Sequence, residues 1–313
     1  MHFEESEIIV ITPVYEDLEA SSRLFMELQS TLGAGIYIVA VDDGSINFPL
    51  DASALHDANA QGEIIKLTRN VGHQTAIAIG LDYVTPKLLD HHVVVIMDSD
   101  GEDLPSSIPS LINQLSEPRV DAVVASRGQR VESFKFKSFY RVYTFLFAGL
   151  TGKKISFGNF MALKPNAAKR LVTMNELSTH VAAALLASKL RISHCQLDRG
   201  PRYAGQSKMN FVGLALHGFK ALMIFAEDVL VRVGIACAGI ASLSIIGGII
   251  ALTLKALGLA TPGWFSVVFG VLILIFLQTG ALTLMTLMLT GIAKRNVSGS
   301  QPSYKHLISK VLR

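Results

Sequence analysis

Short apolar runs alternate with amphipathic stretches through the first 127 residues of the chain. The apolar runs predict strands at 7–12, 36–41, 63–67, 93–97 and 121–126. Apolar residues at helical spacing predict helices at 18–32, 52–60, about 69–84 and 105–115. Because strands and helices alternate, we expect an α/β fold with a mainly parallel sheet and helices on both of its faces.

The last third of the chain contains two much longer apolar stretches. No charged side chain occurs from 233 to 254 or from 264 to 293, and each stretch exceeds the roughly 20 residues that cross a bilayer core. The mean hydropathy of the chain is +0.43, which is high for a soluble enzyme. We therefore predict a C-terminal hairpin of two transmembrane helices, with Pro262 and Gly263 in the turn and Trp264 as an interfacial anchor.

Basic residues predict the orientation of this hairpin. Lys220 and Arg232 precede it, five more basic residues follow between 294 and 313, and the connecting loop has only Lys255. The positive-inside rule then places both termini, and everything before the hairpin, in the cytoplasm of a multi-pass membrane protein. The acidic start of the chain indicates no cleavable signal peptide.

Two amphipathic stretches precede the hairpin. Aromatic and basic residues are interleaved from 134 to 150, and apolar residues at 211, 214, 218, 222 and 225 form a helical stripe. Such helices can lie in the lipid headgroup layer, or they can pack against the sheet or another subunit. The predicted organisation is a cytoplasmic domain at 1–207, an amphipathic juxtamembrane helix at 208–228, two transmembrane helices at 229–293 and a cytoplasmic tail at 294–313.

Acidic residues follow three of the predicted strands, at 16–17, 42–43 and 98–103. The carboxyl ends of parallel strands meet at one edge of a sheet, where α/β folds bind ligands, so we expect these acids to converge. Clustered carboxylates repel one another unless a cation neutralises them, and hard oxygen ligands suit Mg²⁺ or Mn²⁺ with a diphosphate. The alternative for 98–103 is an exposed acidic turn that caps the helix near Pro105.

The remaining composition argues against two classes of function. A net charge of +3 is too small to indicate a nucleic-acid partner, and no basic-aromatic module supports one. The two cysteines, Cys195 and Cys237, cannot form a disulfide framework and are not spaced as metal ligands.

Five motifs occur in order through the region before the hairpin. They are Pro13-Val14-Tyr15-Glu16, Asp42-Asp43-Gly44-Ser45, Arg69-Asn70-Val71-Gly72-His73, Asp98-Ser99-Asp100-Gly101-Glu102 and Arg202-Tyr203-Ala204-Gly205-Gln206-Ser207-Lys208. The ordered set resembles family 2 glycosyltransferases, in the branch of dolichyl-phosphate mannose synthases and bacterial polyprenyl-phosphate glucosyltransferases. The resemblance implies a GT-A fold, which is a Rossmann-like α/β sheet, and two C-terminal spans as in the bacterial members.

The resemblance also implies roles for individual residues. Those expected to bind the donor nucleotide are Pro13, Tyr15, Glu16, Asp42, Asp43 and Asp98. Those expected to hold the metal are Asp98, Asp100 and Glu102, the last standing where the family more often has Gln. The expected catalytic residues are Asp100, Arg127, Arg202 and Lys208, the basic ones gripping phosphates together with Arg130.

The implied reaction is an inverting transfer of a sugar from a nucleotide sugar, with UDP-glucose favoured, to a polyprenyl phosphate such as undecaprenyl phosphate. The product would serve cell-envelope glycan or glycolipid modification. The resemblance further implies the bacterial inner membrane as location and a homo-oligomer, since relatives form tetramers. Two alternatives are a processive polysaccharide synthase, which the absence of a Gln-x-x-Arg-Trp motif disfavours, and a non-catalytic membrane scaffold with a nucleotide-binding fold.

Overall fold

The computed structural model describes residues 3–127, 144–155, 157–203, 211–259, 261, 263–297 and 304–313. The chain divides into two compact units. The first, called here the sheet unit, comprises Met1–Phe139, Ile155–Ile224 and Gln301–Arg313. The second, called the helical unit, comprises Tyr140–Lys154 and Phe225–Ser300.

The sheet unit is built on eight strands. These are β1 (Ile8–Val14), β2 (Ile36–Asp42), β3 (Gly62–Leu67), β4 (Val93–Ile96), β5 (Ala122–Arg127), β6 (Phe157–Leu163), β7 (Ile192–Leu197) and β8 (Ile308–Leu312). Their order in the sheet is β7-β5-β6-β4-β1-β2-β3-β8. Strand β6 is antiparallel to β4 and β5, and β8 is antiparallel to β3, whereas the other six run in one direction. The predicted mainly parallel sheet is confirmed.

Helices cover both faces of this sheet, as predicted. Those of the sheet unit are α1 (Leu18–Leu32), α2 (Ser53–Asp57), α3 (His73–Val84), α4 (Ile108–Leu115), α5 (Pro165–Val172), α6 (Val181–Ala187) and α7 (Phe211–Ile224). Helices α3, α5 and α6 form one hydrophobic cluster with strand residues such as Ile9 and Ile11. Helices α1, α2 and α4 form the other with residues such as Val10. Neighbouring residues of β1 thus point to opposite faces, because side chains alternate along a strand.

The end of the chain returns to the sheet as β8, next to β3. The buried Glu63 of β3 accepts a hydrogen bond from the Tyr83 hydroxyl at 2.6 Å and from Arg313 Nε at 2.8 Å. Burial raises the pKa of Glu63, but these partners and Lys87 outweigh it and hold the pKa below its ordinary value. The sequence predicted only a tail from 294 to 313, and this strand was not foreseen.

Helix α7 has a buried side and an exposed apolar side. Gly218 and Ala221 are buried, whereas Leu216, Phe219 and Met223 are 57%, 63% and 69% exposed. The three exposed residues are spaced i, i+3 and i+7 and therefore share one side of the helix. Of the predicted stripe, Gly218 and Phe225 are buried and Leu222 is half-buried, so the exposed apolar stripe is a separate feature.

The helical unit contains the two long apolar helices, α8 (Ala226–Ala256) and α9 (Trp264–Val297). They lie antiparallel and in contact, since Gly234 lies opposite Thr286 and Gly247 opposite Leu272. Both are long and apolar enough to cross a membrane, and only 17% of the most apolar window of α8 and none of that of α9 is buried. These helices agree with the predicted hairpin. Of the amphipathic stretch 134–150, residues 134–143 lie outside the described residues and 144–150 are helical.

His180 is the N-cap residue directly before α6, and it should make the stability of the fold depend on pH. Its Nδ1 accepts a hydrogen bond from the Ala183 amide at 3.3 Å, and its ring stacks on that of His217 with centroids 4.2 Å apart. Burial, with a smaller effect of His217, lowers the pKa of His180 to about 3. Unfolded histidine binds a proton below pH about 6.5, whereas this folded one stays neutral. The free energy of unfolding should therefore fall by up to about 1.4 kcal/mol for each pH unit as the pH decreases from 6.5 towards 3.

We expect His180→Asn to reduce this acid sensitivity, because Asn keeps an acceptor at the helix start and does not titrate. Melting temperatures of the purified protein in detergent, measured from pH 7 to pH 4, should fall less steeply in the variant than in the wild type. Parallel curves would contradict the assignment of a neutral, buried His180.

Candidate active site

The acids predicted from the sequence do converge at one edge of the sheet. Strands β4, β1 and β2 are neighbours and run parallel, so the loops that follow them are adjacent. The antiparallel strand β6 begins at the same edge. Four loop segments, 15–17, 43–50, 70–73 and 98–103, together with the start of β6, therefore surround one site.

Glu16 joins the first of these loops to the second. Its carboxylate accepts hydrogen bonds from three consecutive backbone amides, those of Ile46, Asn47 and Phe48, at 2.7 to 3.1 Å. Its own amide donates to Ser45 Oγ at 2.8 Å. The backbone of Glu16 is left-handed, with φ of 50°, which turns the side chain back towards these amides. The hydrogen bond from Ile46 is the main reason that the pKa of Glu16 lies below its ordinary value.

Asp42 and Asp43 are both buried and also bind loop backbone. Asp42 accepts hydrogen bonds from the amides of Ser45 at 3.0 Å and Leu50 at 3.2 Å. Asp43 accepts from the amides of residues 71 and 72, at 2.7 and 2.9 Å, just before α3. Burial raises the pKa of Asp43, against the effect of these two amides. The structure thus assigns these acids to loop organisation, and their predicted contact with a nucleoside stays a prediction.

A cleft opens beside these loops. Pro13, Tyr15, Asn70 and His73 line it together with Asp43, and the ring of Tyr15 is 45% exposed. An exposed aromatic ring next to hydrogen-bonding loop residues can stack on a nucleobase. The predicted nucleotide-binding residues Pro13 and Tyr15 are therefore placed together, on the side of the site formed by β1 and β2.

His73 begins α3 and faces the fourth loop. Its Nε2 lies 3.1 Å from Asp98 Oδ1 and 3.0 Å from Asn159 Nδ2 of β6. Burial lowers the pKa of His73, but the negative charges of Asp98, Asp100 and Asp43 outweigh it and raise the pKa above its ordinary value. The imidazole of His73 therefore lies directly against the carboxylate of Asp98 at the start of the fourth loop.

Two arginines meet the other acids of the fourth loop. Arg202 Nη2 lies 2.9 Å from Asp100 Oδ2, and Arg202 Nε donates to Glu102 Oε1 at 3.1 Å. Arg199 forms an ion pair with Glu102 Oε2. The sequence motifs predicted Arg202 as a phosphate-binding residue but gave no role to Arg199. A sequence signal for Arg199 was available, because it lies only three residues before Arg202, the first residue of the fifth motif.

The backbone brings these arginines to the acids. The amide of Gly200 donates to the Glu102 carbonyl at 3.0 Å, and that of Tyr203 donates to the Asp100 carbonyl at 2.9 Å. Segment 199–203 therefore lies alongside 100–102. Gly101 allows this close approach, because a Cβ there would lie 2.7 Å from the ring of Tyr203.

A substitution at Gly101 tests this close approach. Gly101 has φ of 87°, which costs a residue with a side chain about 1–2 kcal/mol, and the clash with Tyr203 adds to that cost. We expect Gly101→Ala to lower the melting temperature and to reduce sugar transfer at least about tenfold. The matched control is Gly33→Ala, which has φ of 70° but nothing among the described residues within 4 Å of its Cβ. Equal effects of the two variants on transfer would show that backbone strain alone is responsible.

The carboxylates of Asp98, Asp100 and Glu102 are the candidate ligands for a divalent cation. Within the described ranges, no group of three or more His, Cys, Asp or Glu side chains is arranged to hold a metal ion. Burial, and next the charge of Asp98, raise the pKa of Asp100, so the two carboxylates are close enough to repel. A cation between them would relieve that repulsion, and Mg²⁺ commonly uses one or two carboxylates with substrate phosphates. Asp98 and Asp100 fit such a site, with one Asp100 oxygen also paired with Arg202, whereas both oxygens of Glu102 are paired with arginines.

The remaining predicted basic residues are only partly described. Arg127 ends β5, in register with Leu197 of β7, and its side chain lies outside the description. Arg130 and Lys208 lie outside the described residues. Their predicted contacts with phosphates stay predictions.

The sequence model of glycosyl transferase family 2 matches residues 9–170, which is about half of the chain and contains all the acids described above. The chain belongs to glycosyl transferase family 2. The predicted family and enzyme class are thereby confirmed.

Individual relatives extend this similarity beyond the family match. The chain is 27% identical over 282 residues to an uncharacterized glycosyltransferase of Synechocystis sp., covering 86% of this chain and 85% of the relative. It is 25% identical over 257 residues to the undecaprenyl-phosphate 4-deoxy-4-formamido-L-arabinose transferase of Shewanella sediminis, covering 79% and 75%. Together with α8 and α9, the second relative indicates that this glycosyltransferase is associated with a membrane.

The fold has solved counterparts. Glucosyl-3-phosphoglycerate synthase from Mycobacterium tuberculosis, in complex with Mn²⁺ and UDP-glucose, superposes with a TM-score of 0.54 at 14% identity, covering 72% of this chain and 79% of that structure. The predicted GT-A fold is therefore confirmed.

Proposed function

We propose that this glycosyltransferase moves a sugar from a nucleotide sugar to a polyprenyl phosphate at the membrane, with inversion at the anomeric carbon. One observation carries the proposal. Asp98 pairs with His73, Asp100 pairs with Arg202, and Glu102 brings Arg199 beside them at the carboxyl edge of the sheet. The chain also resembles a transferase named for undecaprenyl phosphate.

The site suits a donor that carries a diphosphate. Asp98 and Asp100 would hold Mg²⁺ or Mn²⁺, which neutralises negative charge on a departing nucleoside diphosphate. Arg202 and Arg199 add fixed positive charge on the same side of the site, and an arginine fork matches phosphate oxygens. Tyr15 and Pro13 would contact the nucleoside, and UDP-glucose is the donor we favour.

The acceptor makes a strong catalytic base unnecessary. A phosphate monoester has a second pKa of about 6, so most of the lipid phosphate is a dianion near neutral pH. Its oxygen can attack the anomeric carbon in line with the leaving diphosphate, which inverts that carbon without a covalent enzyme intermediate. The protein then contributes orientation and electrostatic stabilisation.

The position of β8 supports the predicted topology. Helix α7 precedes the two apolar helices and β8 follows them, yet both belong to the sheet unit. Since β8 is hydrogen bonded to β3, the chain must leave and return on the same side of the bilayer. Two crossings satisfy this requirement, and by the positive-inside rule the basic flanks favour the cytoplasmic side of a bacterial inner membrane. The tetramer implied by the resemblance stays part of the proposal.

A donor panel tests the function. Purified protein in detergent, with undecaprenyl phosphate and Mg²⁺ or Mn²⁺, is offered radiolabelled UDP-glucose, GDP-mannose, UDP-N-acetylhexosamine and UDP-linked aminosugars. We expect label from one donor to enter the organic phase only when lipid phosphate is present. Label in a water-soluble polymer would favour a processive synthase, and no transfer from any donor would contradict the proposal.

A further inference from the structure

Glu102 is the acid of the fourth loop whose surroundings differ most from those of a metal ligand. It is only 15% exposed, and each of its carboxylate oxygens meets a different arginine, Oε1 that of Arg202 and Oε2 that of Arg199. Ligation of a cation would require one of these oxygens to share or lose its arginine. The Arg199 and Arg202 side chains are only 35% and 31% exposed, so water would replace the lost ion pair incompletely.

The two arginines need an anion between them. Arg199 and Arg202 are close enough that the charge of Arg202, after the larger effect of burial, lowers the pKa of Arg199. Glu102 cancels one of their two charges and touches both. A neutral Gln, which can accept only through its single oxygen, would leave one guanidinium without its partner.

The rest of segment 199–203 is fixed independently of the Glu102 side chain. The amides of Gly200 and Tyr203 bond to the loop backbone, the hydroxyl of Tyr203 donates to Glu27, and the guanidinium of Arg23 lies 4.3 Å above the ring of Tyr203. Backbone and ring contacts thus place the segment, while Glu102 sets the direction of its two guanidinium groups.

We propose that Glu102 is a positioning residue that holds Arg199 and Arg202 side by side to receive the diphosphate of the donor, and that it does not ligate the metal. This inference rests on the proposed function, because it assigns the two arginines to the donor of that reaction. It adds Arg199 to the donor-binding residues, and it separates Glu102 from the carboxylate pair Asp98 and Asp100.

The test compares Glu102→Gln with the wild type, using Mn²⁺ and inorganic pyrophosphate as probes that need no known nucleobase. Mn²⁺ binding to the full chain in detergent, followed by electron paramagnetic resonance, should stay within about twofold in Glu102→Gln and also in Glu102→Ala, which offers no ligand oxygen. The Kd of pyrophosphate at saturating Mn²⁺ should rise about tenfold. Hydrogen exchange in the peptide that covers 199–203 should stay as in the wild type, because backbone and ring contacts hold that segment and only the two guanidinium groups lose their partner. Neither binding nor exchange requires sugar transfer, so these readouts remain decisive even if the donor panel fails.

A double-mutant cycle completes the test. Arg199→Gln should reproduce the weaker pyrophosphate binding, and the double variant with Glu102→Gln should be no weaker than the worse single variant, since each acts through the other. A tenfold or greater loss of Mn²⁺ affinity in Glu102→Ala, with exchange at 199–203 still as in the wild type, would identify Glu102 as a metal ligand and overturn the inference. Additive losses in the cycle would also overturn it.

Discussion

Replacing Asp100 with Asn is expected to reduce sugar transfer by at least about 10³-fold, which corresponds to roughly 4 kcal/mol of transition-state stabilisation. The substitution keeps the shape of the side chain and its hydrogen bond from the Glu102 amide, which is 3.0 Å long. It removes the charge that pairs with Arg202 and that would hold the cation. Because burial, and next the charge of Asp98, raise the pKa of Asp100, a neutral side chain at this position should leave folding intact.

The experiment measures transfer of the sugar that the donor panel identifies, together with the melting temperature. The matched control is Asp90→Asn, which removes an exposed carboxylate from the turn before β4 and should change transfer less than twofold. A fully active Asp100→Asn enzyme would eliminate the proposed carboxylate pair. A variant that fails to fold would show that Asp100 supports the loop instead.

Local patterns were sufficient to predict the first half of the fold. Runs of β-branched residues predicted both ends of each strand from β1 to β5 to within two residues. Helix α1 has the predicted bounds 18–32. Parallel neighbours linked by helices then required the acids after β1, β2 and β4 to share an edge. These predictions succeeded because each depends on short-range periodicity and on a general rule for parallel sheets.

Long-range pairing could not be predicted in the same way. Strand β6 enters between β4 and β5, and its sequence Phe157-Gly-Asn-Phe-Met-Ala-Leu163 does not alternate. Strand β8 is short, contains Lys310 and pairs with a strand some 240 residues earlier, so its register depends on β3 and not on its own pattern.

Side-chain partners in the site were similarly hidden. The sequence indicated that Glu16 and Asp42 lie at the correct edge, but their acceptance of backbone amides depends on loop conformations such as the positive φ of Glu16. The pairing of Arg199 with Glu102 joins residues almost one hundred positions apart, and it requires glycine at 101. Motifs therefore predicted where the site lies, whereas the different partners of its acids became known only from the structure.

Arg202→Lys is the second substitution from which we expect a large effect, a loss of about 10²-fold in kcat/KM for the donor. Lysine keeps the positive charge but lacks the planar fork. Arg202 uses Nη2 towards Asp100 and Nε towards Glu102, at 2.9 and 3.1 Å, and a single ammonium group cannot reproduce both directions. The carboxylate of Asp100 would then lose a fixed neighbour, and the diphosphate would meet a mobile point charge.

Arg191→Lys is the matched control, because Arg191 forms the same kind of fork with Asp121, at 2.8 and 2.6 Å, at the amino ends of β5 and β7. That pair is largely exposed, and exposed ion pairs contribute about 1 kcal/mol or less to stability. Transfer by Arg191→Lys should therefore stay within about twofold of wild type. If Arg202→Lys is equally active, charge alone suffices at this position and the fork has no role in binding the diphosphate. If Arg202→Lys is impaired and Arg191→Lys is not, the fork geometry at the carboxyl edge is what the donor requires.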